Sequence, residues 1–356
     1  MKKLNVAIIG QGRSGRDIHG KYFKSEDNKY FNVVAVVDKL EHRRVRAAEE
    51  YGCDVYENVS DLYGRKDIDL VVNSTFSHLH AEVAIDLLNH GFNVVSEKPF
   101  AKTYEDGCRM VKAAKENNVM LNIFQQSRFA PYYTKIKEII ASGKLGDIKQ
   151  VSINFSKFAR RWDRQTLQSF SGGEVRNTGP HPIDQGLDLM NFPENVSVFS
   201  KLDLATTFGD AEDYAKIILT APNAPLVDIE ITTTNCYVPY LYLIQGSKGT
   251  LKAAMYHIDI KYYNPENEPE REVLAAPMED ENKLPMYCTE TLSFTEEAFD
   301  LEGDAFNVGT AAYYKMIYDY LTEGKKMEID PESQLLLQLK VVDLIHAQNP
   351  LAVKFD

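Results

Sequence analysis

The sequence predicts two α/β domains: a doubly wound parallel sheet, then an α+β domain on a large, mostly antiparallel open sheet. Three observations lead there. Short, wholly apolar runs alternate with helical stretches through the first third of the chain. A glycine-rich loop directly follows the first of those runs. After Phe124 the pattern changes to apolar/polar alternation. A length of 356 residues suits two domains of common size.

The strand candidates of the first part are Val6–Ile9, Val33–Val37, Leu70–Val72, Val94–Val95 and Val119–Phe124. Runs without polar alternation suit strands buried on both faces. Between them, Ala81–Asn89 carries Val83, Ala84, Leu87 and Leu88 on one stripe and ends at Gly91. Tyr104–Glu116 has Thr103 as its N-cap. Residues 1–124 are therefore assigned to the first domain and 125–356 to the second.

The second domain opens with an amphipathic helix, Pro131–Ser142, stopped by Gly143. Val151, Ile153 and Phe155 then alternate with Ser152, Asn154 and Ser156. Val227, Ile229 and Ile231 alternate with Asp228, Glu230 and Thr232, as in a half-covered antiparallel sheet. Asn264–Asp280 is acidic and contains proline, so it reads as a surface loop. Asp330 and Pro331 start a final helix, 331–347, with one apolar face free to pack back on the first domain.

Composition excludes some partners. The net charge of −12 argues against nucleic acid or an anionic membrane. An anionic substrate would need a basic pocket built against that field, so a neutral one is favoured. Cys53, Cys108, Cys236 and Cys288 are scattered and read as free thiols in a reducing compartment, with no metal site. The apolar run after Leu4 is too short for a signal peptide or a membrane span, so a cytoplasmic protein is expected. An exposed face of the antiparallel sheet would suit a homodimer or homotetramer.

Gly10-Gln11-Gly12-Arg13-Ser14-Gly15 fits G-x-G-x-x-G between a strand and a helix, the dinucleotide-binding Rossmann arrangement. Gly10 permits the turn, Gly12 lets backbone amides approach a pyrophosphate, and Gly15 lets the helix lie close to the sheet. Asp38 ends the second strand and would accept the ribose hydroxyls. It favours NAD; Lys39, Arg43 and Arg44 keep NADP possible. Glu97-Lys98-Pro99 follows the strand ending at Ser96, where such sheets bind ligands. A desolvated lysine there would hydrogen-bond a reacting hydroxyl or share in proton transfer.

Taken together, these segments make the chain resemble the glucose-fructose oxidoreductase/inositol dehydrogenase (Gfo/Idh/MocA) family, nearest its scyllo-inositol dehydrogenase-like branch. Thr75-Phe76-Ser77-His78-Leu79-His80 is similar to its T-P-x-x-x-H segment, and Arg128-Phe129-Ala130-Pro131 to its R-F-x-P segment. Glu97-Lys98-Pro99 matches its E-K-P signature. Gly172–Asp184 resembles G-G-x-x-x-D-x-G-x-H-x-x-D, with Asn177 in place of the aspartate. The resemblance implies a catalytic Lys98, a cis Lys98–Pro99 bond and His181 as proton acceptor. It also sets Thr75, His80 and Glu97 beside the cofactor.

On this reading His181 takes a hydroxyl proton, Lys98 polarises the same oxygen, and Asn177 orients His181 or caps the approach to its helix. His181 would lie at a helix N-terminus, whose dipole keeps the ring neutral. Asp184 would contact substrate or favour the helix start, and Arg160, Arg161 and Trp162 would line the pocket. The implied activity is hydride transfer between NAD(P) and a hydroxyl carbon of a sugar, cyclitol or related polyol. An NAD-dependent glycosidase and a non-catalytic NAD sensor are the alternatives.

Overall fold

The structure is a computed structural model describing residues 2–355. β1 (Leu4–Ile9) leads through wide helical turns at Arg13–Gly20 into α1 (Lys21–Lys24). Then come β2 (Phe31–Val37), α2 (Glu41–Tyr51), β3 (Asp54–Tyr56), β4 (Leu70–Asn73), α3 (His80–Asn89), β5 (Val94–Ser96), α4 (Tyr104–Glu116) and β6 (Leu121–Ile123). The six strands form a parallel sheet in the order β3-β2-β1-β4-β5-β6. The strand order reverses between β1 and β4, which places a ligand crevice beyond their C-terminal ends. Val6, Ile8, Val36, Val71 and Val95 are buried, as unalternated strands require. Thr103 caps α4 by accepting the Asp106 amide.

α5 (Pro131–Ala141) opens the second part, followed by β7 (Ile148–Asn154), α6 (Glu174–Asn177), α7 (Pro180–Leu189), β8 (Ser197–Asp203), β9 (Tyr214–Thr220), β10 (Leu226–Thr232), β11 (Tyr242–Gly246), β12 (Gly249–Ala253), β13 (His257–Tyr263) and β14 (Phe294–Asp300). These strands make one sheet ordered β14-β13-β12-β11-β7-β10-β9-β8. Within this sheet, among the described residues, only β7 and β10 pair in parallel. Val151, Ile153, Val227, Ile229 and Ile231 face the helices, and Asp228 and Glu230 face away. Residues 264–280 are mostly exposed and outside the sheet.

The last two helices tie the halves together. α8 (Ala305–Glu323) lies in the second part of the sequence, yet Tyr313, Tyr314 and Ile317 join the core of the parallel sheet. Sequence division at residue 124 does not anticipate this. Tyr314 stacks on Tyr22 at 4.8 Å, and the Tyr313 hydroxyl donates to Asn122 Oδ1 at 2.9 Å. α9 (Leu336–Gln348) follows a capped turn at Asp330–Pro331. Its Leu339 enters the first core, while Val341, Val342 and Ile345 enter the second. No helix of the described residues is long and apolar enough to cross a membrane.

Candidate active site

The glycine loop is shaped by close approach. Gly10 has φ +90°, and a Cβ there would lie 2.6 Å from the Ser74 carbonyl oxygen. A Cβ on Gly15 would strike the Gly10 carbonyl oxygen at 1.8 Å, so only glycine lets the helical segment sit this near the sheet. Above Gly12 the space is open apart from the Arg43 guanidinium, 3.7 Å from where a Cβ would be. Asp38 Oδ2 accepts the Gln11 amide at 2.7 Å, and Oδ1 accepts the Leu40 amide at 2.8 Å. Arg43 leans to within 3.5 Å of the same carboxylate. It is therefore not simply a solvated helix residue, and it offsets part of the charge that would repel a 2′-phosphate. The open backbone above Gly12, the exposed Arg13, the half-buried Ser14 and the unpartnered buried side chain of Gln11 all fit a dinucleotide at this loop.

Two residues expected beside the cofactor, His80 and Glu97, are buried among protein groups. His80 is 1% exposed and Glu97 is 4% exposed. His80 Nδ1 sits 2.8 Å from the Pro99 carbonyl, and Nε2 sits 3.3 Å from that of Thr75. It ties the two loops together. The Thr75 hydroxyl donates to Asn73 Oδ1 at 2.7 Å. Glu97 Oε2 accepts the Lys98 amide at 3.0 Å, and Oε1 lies 3.2 Å from His19 Nε2. His19 Nδ1 in turn lies 2.7 Å from the Tyr314 hydroxyl. Burial pushes the Glu97 carboxyl up, but His19, Lys98 and His80 outweigh it and hold the group below the usual range. The Lys98–Pro99 peptide is cis.

Lys98 reaches across to the second domain. Its ammonium donates to the Asn177 carbonyl at 2.7 Å, one helical turn before His181. Burial lowers the Lys98 pKa; Glu97 and Glu174 oppose that shift, and Arg13 and Arg161 add to it. His181 is the second residue of α7, behind Pro180 at its first position. Burial, and next the Lys98 charge, push His181 down to about 3, so the ring is neutral at pH 7. Lys98 and His181 thus converge at the seam between the domains.

Other expected roles change. His181 Nδ1 lies 3.0 Å from Ser127 Oγ, so the orienting group is Ser127 rather than Asn177. Asn177 Oδ1 is already taken by Gln165 Nε2 at 3.1 Å, and Gln165 is held by Arg161. Asp184 is fully buried, paired with Arg128 through two bonds of 2.6 and 2.7 Å. It cannot touch substrate. Trp162 is 78% exposed and packs edge-on against Phe208, and the Arg160 guanidinium lies 4.5 Å over the same ring. Both turn away, whereas Arg161 and Arg164 turn toward the seam. His19, Ser127, Gln165 and Arg164 escaped sequence reasoning. Only Ser127 had a pointer, as the neighbour of the Arg128–Pro131 segment.

Both parts of the chain are similar to known proteins. Residues 4–125 match the oxidoreductase family with NAD-binding Rossmann fold, and residues 133–252 match the GFO/IDH/MocA C-terminal domain. A 2,7-anhydro-N-acetylneuraminate hydratase of Mediterraneibacter gnavus is 29% identical, over 72% of this chain and 68% of its own. The NADP(+)-dependent scyllo-inositol 2-dehydrogenase of Bacillus subtilis is 27% identical, over 60% and 61% respectively. In fold, the chain is similar to the WlbA dehydrogenase of Bordetella pertussis, solved with NADH and UDP-GlcNAcA. The TM-score is 0.74 and the identity 23%, over 100% of this chain and 99% of that one. A glycine loop made for a dinucleotide, joined to a second domain that both patterns and folds as these do, makes this chain an NAD-binding member of the Gfo/Idh/MocA oxidoreductase family.

Proposed function

We propose that the protein is an NAD(P)-dependent dehydrogenase acting on a CH–OH group of a sugar, cyclitol or related polyol. The observation that carries this reading is the convergence of Lys98 and a neutral His181 at the seam, one from each domain. Bound NAD would supply the hydride acceptor, held by the amides of residues 10–15 near Asp38 and Arg43. The chain's own residues handle the proton. With His181 Nδ1–H donating to Ser127 Oγ, the Nε2 lone pair accepts the hydroxyl proton. Lys98 donates to the same oxygen and stabilises its developing negative charge. No carboxylate bonds His181 among the described residues, so little steadies an imidazolium. A Lys98 that has first given up its own proton, which burial favours, would then take this one on from His181.

The test is a panel of sugars and cyclitols with NAD and with NADP, followed by absorbance of the reduced cofactor. Formation of NADH or NADPH with a member of the panel supports the reading. Substrate conversion without net reduced cofactor would instead indicate transient oxidation, as in the alternative glycosidase chemistry.

A further inference from the structure

Between β13 and β14 the chain leaves the sheet as an arm. Residues 268–293 fold back on themselves. The Met286 amide donates to the Met278 carbonyl at 2.9 Å, the Asp280 amide to the Leu284 carbonyl at 2.9 Å, and Arg271 pairs with Glu290 at 2.8 Å. Among the described residues, no hydrogen bond or ion pair ties this arm to the rest of the chain. A lone two-limbed hairpin is marginal in water. This one also carries bare apolar groups: Val273 is 99% exposed, Tyr287 is 91% exposed, and Leu274 and Leu284 are exposed as well. A second bare apolar surface lies on the loops after β7, β8 and β10, where Phe158, Trp162, Phe208 and Tyr237 are exposed. Those three strands run in one direction. β7, β11, β12 and β13 pair antiparallel in succession, so β13 runs opposite to β7. Within one chain the arm and the aromatic loops therefore leave opposite ends of the sheet. Their charges are complementary. In the arm, Glu268, Glu270, Glu272, Glu279, Asp280 and Glu281 outweigh Arg271 and Lys283. The loop after β7 carries Lys157, Arg160, Arg161 and Arg164 against Asp163, which Arg161 takes at 2.8 Å. Lys157, Arg160 and Arg164 are exposed.

We propose that the arm of one copy docks on the aromatic, basic loops of a second copy, and that two copies exchange arms reciprocally. A two-fold axis that reverses strand direction between copies sets each arm at the other's loops, so the same contact forms twice. The occupant is a second copy because both halves of the contact, apolar and charged, stand unpartnered on this one chain. The docked arm rests on the loop whose Arg161 holds Gln165 and through it Asn177, the residue whose carbonyl binds Lys98. The second copy thus completes one wall of the seam. This assembly stands whether or not the dehydrogenase reading does.

The experiment uses the full NAD-loaded chain, with mass read by light scattering after gel filtration. Cys236 precedes Tyr237 on the loops and Cys288 follows Tyr287 on the arm; both are exposed, whereas Cys53 and Cys108 are half-buried. A short bismaleimide therefore reads proximity. Trp162 is the one tryptophan of the chain, so its emission reports on the loops. The expected result is a dimer or a larger even-numbered assembly, with Cys236 joined to Cys288 between copies. That link should vanish in Cys236→Ser and in Cys288→Ser, and Trp162 emission should shift to the blue as concentration rises. Tyr287→Ser should raise the dissociation constant about tenfold or more while leaving the far-ultraviolet circular dichroism unchanged. A chain that stays monomeric overturns the proposal. So does an assembly without the Cys236–Cys288 link between copies, with unmoved Trp162 emission, or with a dissociation constant that Tyr287→Ser does not change.

Discussion

At His181 the tautomer decides which chemistry is open. Nδ1–H donation to Ser127 leaves Nε2 as a proton acceptor, whereas the opposite tautomer would make it a donor. Ser127→Ala is expected to lower kcat about 10–100-fold and shift the pH profile, with Ser127→Thr recovering part of the loss; steady-state kinetics across pH checks this. Asp184 gives a contrasting case. Removing its charge strands Arg128, which is 8% exposed, so Asp184→Asn should cost about 3–5 kcal/mol of stability in chemical unfolding. Lys98 and His181 were legible in the sequence because they stand in motifs. Ser127 was not, since a lone serine carries no pattern. Nor was the Gln165 contact, because it comes from an irregular segment whose course only tertiary structure sets. The Arg128 pairing of Asp184 was not legible either, because position in a motif does not say which way a side chain faces.

Among the elements, the supporting chain under the lysine joins three of them. His19 comes from the helical segment after the glycine loop, Glu97 from the end of β5, and Tyr314 from α8. Tyr314→Phe leaves His19 Nδ1 without its partner in a fully buried site. The expected loss is about 1–3 kcal/mol in unfolding free energy, together with a fall in kcat larger than any change in NADH affinity. Strand runs and the caps at Thr103 and Asp330 could be read locally, because apolar periodicity and capping are local chemistry. The place of α8 could not. Its tyrosines are buried by partners some three hundred residues earlier in the chain. β14 also escaped, since Phe294–Asp300 is an exposed edge strand with little apolar alternation.

For the whole molecule, the buried neutral histidines link stability to acidity. The folded pKa of His181 lies at about 3, against an ordinary 6.5, and that of His80 is lowered as well. Between those values the unfolded chain binds more protons than the folded one. Their contribution is therefore complete above pH 6.5 and is lost as pH falls toward 3. Tm should drop between pH 7 and pH 5, and His181→Gln should drop less over the same interval. The two-domain plan was visible in the change of periodicity after Phe124.

The most direct test of the central claim, that Lys98 acts on the reacting oxygen at the seam, is turnover of the Lys98→Met variant on the best substrate of the panel. NADH formation should fall by about 10²–10⁴-fold while NADH affinity stays within threefold of wild type. Turnover at the wild-type rate would contradict the account.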